Sequence, residues 1–159
     1  MLETQMKGRK TNLEGADCGI ARSLQIVGDW WTLLIVRDAF RGHQRFGEFQ
    51  KNLGLAKNIL SARLKKLVQE GIFTIEAHTN SPSSPRYILT PKGEKLYTLL
   101  VALWQWGEEN CFEPGELETE MVDTIDGAPI ERLQVKAADG RLLGPRDFRL
   151  ASRPSSVGA

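Results

Sequence analysis

Two stretches of helical periodicity meet at a single glycine, and no other feature of the chain constrains its fold as much. In FGEFQKNL, Phe46, Phe49 and Leu53 recur at the spacing of one helix face. After Gly54, the stretch AKNILSARLKKLVQE repeats Leu60, Leu64, Leu67 and Val68 on one face, while Lys57, Lys65 and Lys66 fall elsewhere. Glycine adopts the left-handed conformation that ends helices at little cost, so Gly54 is expected to stop one helix and Gly71 the next, which covers 56–70. Helices this short are marginal alone, so both must lie on a shared core.

The flanks supply that core. Ile20, Leu24 and Val27 predict a short helix over 18–27, ended by Gly28. DWWTLLIVRDAF is apolar nearly all round, which for so short a helix implies burial on several sides. Trp30, Trp31 and Phe40 are read mainly as core, with an effector pocket near a dimer interface as the alternative. Beyond Gly71, IFTIEA and RYIL have strand composition, and NSPSSP between them is expected to be an irregular polar tip. Thr90 and Pro91 open a helix expected to run to about Cys111, since the hydroxyl can cap free amides and proline's fixed φ suits the first turn.

That last helix carries Leu96, Leu99, Leu100 and Leu103 on one side, with Tyr97, Val101, Trp104 and Trp106 around it. One core cannot easily bury so much circumference. A symmetric dimer is expected, with Leu96, Leu100, Leu103 and Trp104 at its interface, and the alternative is that the extra aromatics cover the C-terminal segment. From Glu113 onward, EMVDTI, IERLQVK and DFRLAS are separated by Asp-Gly and Gly-Pro turn signals, which predicts a small β-rich extension too short to hold its own core. The expected layout is a flexible arm over 1–15, one domain over 16–112, the extension over 113–151 and a disordered tail over 152–159. The fold class is α+β, mainly α.

Charge separates along this chain although the net value is only +1. From Arg41 to Lys66 there are seven Lys or Arg against Glu48 alone, and from Gly107 to Glu131 nine acids and no Lys or Arg. The first run fits a localised polyanion-binding surface or, more simply, a solvated face. Enzyme chemistry finds no support: no nucleophile elbow, phosphate loop, zinc-protease or dinucleotide motif occurs, and His43 and His78 lie in predicted loops without evident partners. Cys18 and Cys111 lack metal-ligand spacing. No metal, cofactor or catalytic residue is expected, and the absence of a signal-like or membrane-length apolar run predicts a cytoplasmic protein.

Three helices, a tight turn, a fourth helix, a strand, a polar loop, a strand and a closing helix make the order of a winged helix-turn-helix. A helix fits the major groove of duplex DNA, and a hairpin tip can reach the neighbouring backbone. With Leu60, Leu64 and Leu67 inward, Asn58, Ala62, Lys65 and Gln69 face outward, flanked by Ser61 and Lys66. Asn58 and Ser61 are candidates for base edges and Ala62 for a thymine methyl, while Lys57, Lys65, Lys66, Arg45 and Arg86 are candidates for phosphates. Arg63 is as suited to pairing with Glu48 or another acid as to touching DNA. A winged helix used only for protein contacts is the rival, and salt-sensitive DNA binding separates the two.

CGIARSLQIVGDWWTLLIVRDAFRGHQRFGEFQ, LGLAKNILSARLKKLVQEGI and YILTPKG together resemble the HxlR-type bacterial transcriptional regulators, a winged-helix group related to MarR regulators. The resemblance covers roughly Cys18 to Glu109. It implies a homodimeric regulator, most simply a repressor, on a pseudo-palindromic operator, responsive to a small-molecule effector or a redox signal. Trp30 stands where the family often has a basic residue. Ala56 stands where a capping Ser or Thr is usual, leaving the first amides of the helix to a bound phosphate or to Asn58. Some members resemble electrophile sensors with an N-terminal cysteine at this motif, which makes Cys18 a candidate redox sensor or else a small hydrophobe.

Overall fold

The computed structural model describes residues 12–78 and 81–153. In chain order the elements are α1 (Gly19–Val27), α2 (Trp30–Phe40), α3 (Phe46–Leu53), α4 (Lys57–Gln69), β1 (Phe73–His78), β2 (Ser81–Leu89), the single turn α5 (Pro91–Glu94) and α6 (Tyr97–Asn110). The chain divides into two compact units, Met1–Leu100 and Val101–Ala159. The arm expected over 1–15 and the tail over 152–159 fall mostly outside the described residues.

The core of the first unit is built as the apolar spacing requires. Ile35 and Val36 of α2, Phe49 of α3, Leu60, Leu64 and Leu67 of α4, and Ile72 and Phe73 at the strand entry form one buried cluster. Each such side chain contributes on the order of 1.5–3 kcal/mol through burial. Phe49, Phe73 and Tyr87 meet at tilted or edge-to-face angles, with ring centroids 6.3–6.5 Å apart, and so join α3 to both strands. Trp31 packs against this cluster. Trp30 does not: it is exposed, with only the edge of Trp31 against it, because one turn of α2 cannot direct both indoles inward.

A buried carboxylate fastens α2 to α3. Asp38 is wholly buried and accepts from Nε and Nη2 of Arg37 and from Nδ2 of Asn52, while its backbone carbonyl takes the amides of Arg41 and His43. Buried charge is tolerated only when supplied with such partners.

β1 and β2 pair antiparallel, Phe73 opposite Leu89 and Glu76 opposite Arg86, and the register then breaks before the pair His78 and Ser81. The irregular tip expected over NSPSSP is thus corrected, since β2 begins at Ser81. Pro82 and Pro85 are accommodated because they fall within the register break, where no ladder amide is needed. The long last helix is likewise broken at Lys95 and Leu96. Its first turn is held to the strand entry, with Thr90 Oγ1 donating to the carbonyl of Gly71 and Gly93 pressed against that of Ile72.

In the second unit, α6 continues into a segment in which none of residues 113–153 is buried. The β character expected there is confined to two isolated bridges, Val122 to Pro129 and Lys136 to Leu142. The Asp-Gly turns do form, with Gly127 and Gly140 left-handed at φ 71° and 88°. Gln105 acts as the missing strand neighbour: its Nε2 donates to the carbonyl of Glu131 and its Oε1 accepts the amide of Leu133. Arg132 adds ion pairs to Glu108 and Glu109.

Candidate nucleic-acid interface

The turn between α3 and α4 is short and internally fixed. Gly54 sits at φ 66° and donates its amide to Gln50, the Gln50 side chain donates to the carbonyl of Leu55, and Leu55 is buried beneath. α4 is thereby held across α3 with Leu60, Leu64 and Leu67 inward. Its opposite face is open: Lys57, Asn58, Ser61, Ala62, Lys65 and Gln69 are all exposed. Ala56 is the N-cap and supplies no side-chain hydrogen bond, so the leading amides of α4 have no side-chain cap.

Two basic residues of α4 are turned to structural uses. Lys66 is half-buried and donates its ammonium to the carbonyl of Gln25, bracing α4 against α1. Arg63 pairs with Asp29 at 3.3 Å, and Asp29 is also the α2 N-cap, accepting the amide of Thr32 at 3.0 Å. The acid that holds Arg63 is therefore Asp29. Glu48 instead caps its own helix, accepting the amides of Gln44 and Arg45 at 2.7 and 2.9 Å. Those amides, with Gln44 first, hold the Glu48 carboxyl below its ordinary value of 4.5.

Arg45 and Arg86 meet at the base of the wing. They form an isolated antiparallel bridge, Arg45 Nη1 donates to Ser84 Oγ, and Arg86 pairs with Glu76 across the hairpin at 2.8 Å. The segment before α3 thus adds a third strand position beside β2. Arg86 lies in the strand, and part of its charge is answered by Glu76.

On the last helix the expected interface residues divide between two environments. Leu96 and Leu100 pack against the core of the first unit, and Trp104 is half-buried. Leu103 is exposed, and with Leu99 and Trp106 it forms an open apolar stripe at positions i, i+4 and i+7. The sequence pattern shows which residues are apolar but not which side the core takes, so it did not separate the two environments. Cys18 is the exposed N-cap of α1, and Cys111 is exposed just beyond α6.

Helices α2 to α4, the short turn at Gly54 and the two-stranded wing define a winged helix-turn-helix protein. Residues 26–114, more than half of the chain, match the model of the HxlR-like helix-turn-helix family, and the chain belongs to that family. An uncharacterised HTH-type transcriptional regulator of Mycobacterium tuberculosis is 43% identical over 95 residues, which are 60% of this chain and 60% of that one. The chain thus spans about 60% of the length of the mycobacterial relatives it matches. The crystal structure of PA1607, a candidate transcription factor, is similar at 49% identity and a TM-score of 0.85, over 90% of this chain and 100% of that one. The redox regulator HypR in its reduced form is similar at 25% identity and a TM-score of 0.55, over 59% of this chain and 94% of its own.

Proposed function

We propose that the protein is a sequence-specific DNA-binding repressor that acts as a homodimer on a pseudo-palindromic operator. The observation that carries this reading is the outer face of α4, where Asn58, Ser61, Ala62 and Lys65 are exposed together beside a helix N-terminus with no side-chain cap. Amide groups in that state attract phosphate, and the neighbouring polar side chains suit base edges in the major groove. Lys57, Lys65 and Arg45 hold the backbone. Lys66 and Arg86 are weaker contributors, because their charges already have protein partners.

The open stripe of Leu99, Leu103 and Trp106 is the proposed dimer seam, which keeps Leu103 of the expected set and takes Leu99 and Trp106 in place of Leu96, Leu100 and Trp104. A symmetric pair would set two α4 helices about one DNA turn apart, roughly 34–36 Å. An effector or a modification of the exposed Cys18 would change that separation. HypR is described as a redox regulator, which supports testing Cys18 first: operator affinity that is the same before and after diamide treatment excludes it as the input.

Selection of bound sites from random duplex DNA tests the reading directly. Recovery of an inverted repeat, with affinity that falls steeply as salt rises, supports it. Recovery of no enriched sequence and no salt-dependent binding refutes it in favour of a protein-interaction module.

A further inference from the structure

The segment after α6 is divided by charge. Residues 113–131 carry seven acids and no Lys or Arg, whereas 132–153 carry six Lys or Arg against Asp139 and Asp147. Each half also has an apolar feature that the chain itself leaves uncovered. In the acidic half, Asp123 and Asp126 fold a tight turn by accepting the amides of Ile125 and Ala128, and Ile125 stands at its tip 92% exposed. In the basic half, Leu133, Val135, Leu142, Leu143, Pro145 and Phe148 line an open groove of about 520 Å³. Arg146 and Arg149 lie beside it in sequence and have no ion-pair partner among the described residues.

We infer that this segment is a second self-association surface, in which the Ile125 turn of one copy enters the Leu142–Phe148 groove of another and the contact is returned across a two-fold axis. The two halves are opposite in charge. An apolar knob whose turn is made by two aspartates meets an apolar hole whose segment carries Arg146 and Arg149 against Asp147, which is held on the Gly144 amide, and one chain holds one of each. A two-fold axis then satisfies both at once, and the assembly closes as a dimer when that axis also relates the two α6 stripes, whereas a one-way contact would propagate into filaments. The groove has room for the isoleucine and part of its turn. A segment with no buried residue of its own also gains from such cover, since an apolar side chain exposed in a monomer is covered in the pair. This surface is separate from the α6 stripe and does not rest on the DNA-binding reading.

Sedimentation equilibrium on the full chain tests it with two substitutions at exposed positions, Ile125→Ser in the knob and Leu142→Glu in the hole. Neither residue is buried, so both variants should keep the wild-type circular dichroism spectrum. Each should weaken self-association by roughly tenfold or more, as loss of a central apolar anchor does. A mixture of the two variants retains one intact knob and one intact hole between unlike copies, so it should associate more tightly than either variant alone. High salt should weaken wild-type association. Unchanged association in both variants overturns the proposal, as does open-ended polymerisation of the wild type or failure of the mixture to recover. Binding of the same samples to a duplex carrying a single half-site, which one monomer can occupy, reports on α4 and so keeps the two readings distinguishable.

Discussion

At the residue scale, the proposed function divides the outer face of α4 between two kinds of contact with DNA. Lys65→Ala removes a charge that answers phosphate, so it should weaken binding to all sequences alike and lower the salt slope by about one unit. Asn58→Ala removes a group that can read a base edge, so it should cost about 1–3 kcal/mol on the preferred site and relax preference at one base position. Fluorescence anisotropy on the operator and on scrambled duplex checks both, and equal binding by both variants and wild type would refute the placement of α4. Asp38 was not legible in advance as important, since an acid in DAF reads as a surface charge until α3 is seen to close over it. Asp38→Ala should destabilise the domain by about 1–3 kcal/mol, because the groups it accepts from lose a buried partner. Urea unfolding should show a lower midpoint at an unchanged slope. At Gly93 an added Cβ would lie 2.3 Å from the carbonyl oxygen of Ile72. Gly93→Ala should therefore cost about 1–3 kcal/mol and loosen the joint between hairpin and α5.

Among the elements, α3 and α4 were the most readable. The spacing of Phe46, Phe49 and Leu53, the stop at Gly54 and the stripe of Leu60, Leu64 and Leu67 are local facts that tertiary packing had only to respect. The cap of α3 gives a pH dependence of known sign. Glu48 has a folded-state pKa held below its ordinary 4.5 by the amides of Gln44 and Arg45. Its stabilisation is therefore fully present above that value and is lost as pH falls through the lowered one. Glu48→Gln should be less stable than wild type at pH 7, and the difference should close below about pH 4.5. The carboxylate is exposed, so solvent keeps the difference small. Thermal melts of both proteins at pH 7 and pH 3 test this, and a difference that widened in acid would contradict it. The hairpin was less readable. NSPSSP has the composition of a loop, and only the pairing register reveals that its prolines lie where the ladder is already broken.

For the whole molecule, the exposed stripe on α6 carries the proposed dimer. Leu103→Glu places a charge at its centre, so it should weaken the dimer by sedimentation at least tenfold and lower operator affinity with it, since a monomer binds only one half-site. An unchanged dimer affinity would move the seam elsewhere. Ile20 and Leu24 on α1 are also exposed, within the first unit.

The winged helix-turn-helix class, the outward face of α4 and the turns at Gly54, Gly127 and Gly140 were legible in the residues alone, because periodicity and positive φ are local properties. Packing between distant elements set which basic residues stay free. Lys66 and Arg63 share a helix with Lys65, yet their charges are answered by Gln25 and Asp29, residues 41 and 34 positions earlier in the chain. It also decided which side of α6 the core claims, taking Leu96 and Leu100 and leaving Leu99, Leu103 and Trp106 open. An apolar residue has the same spacing whichever way its helix is turned, and the direction is set by partners distant in sequence.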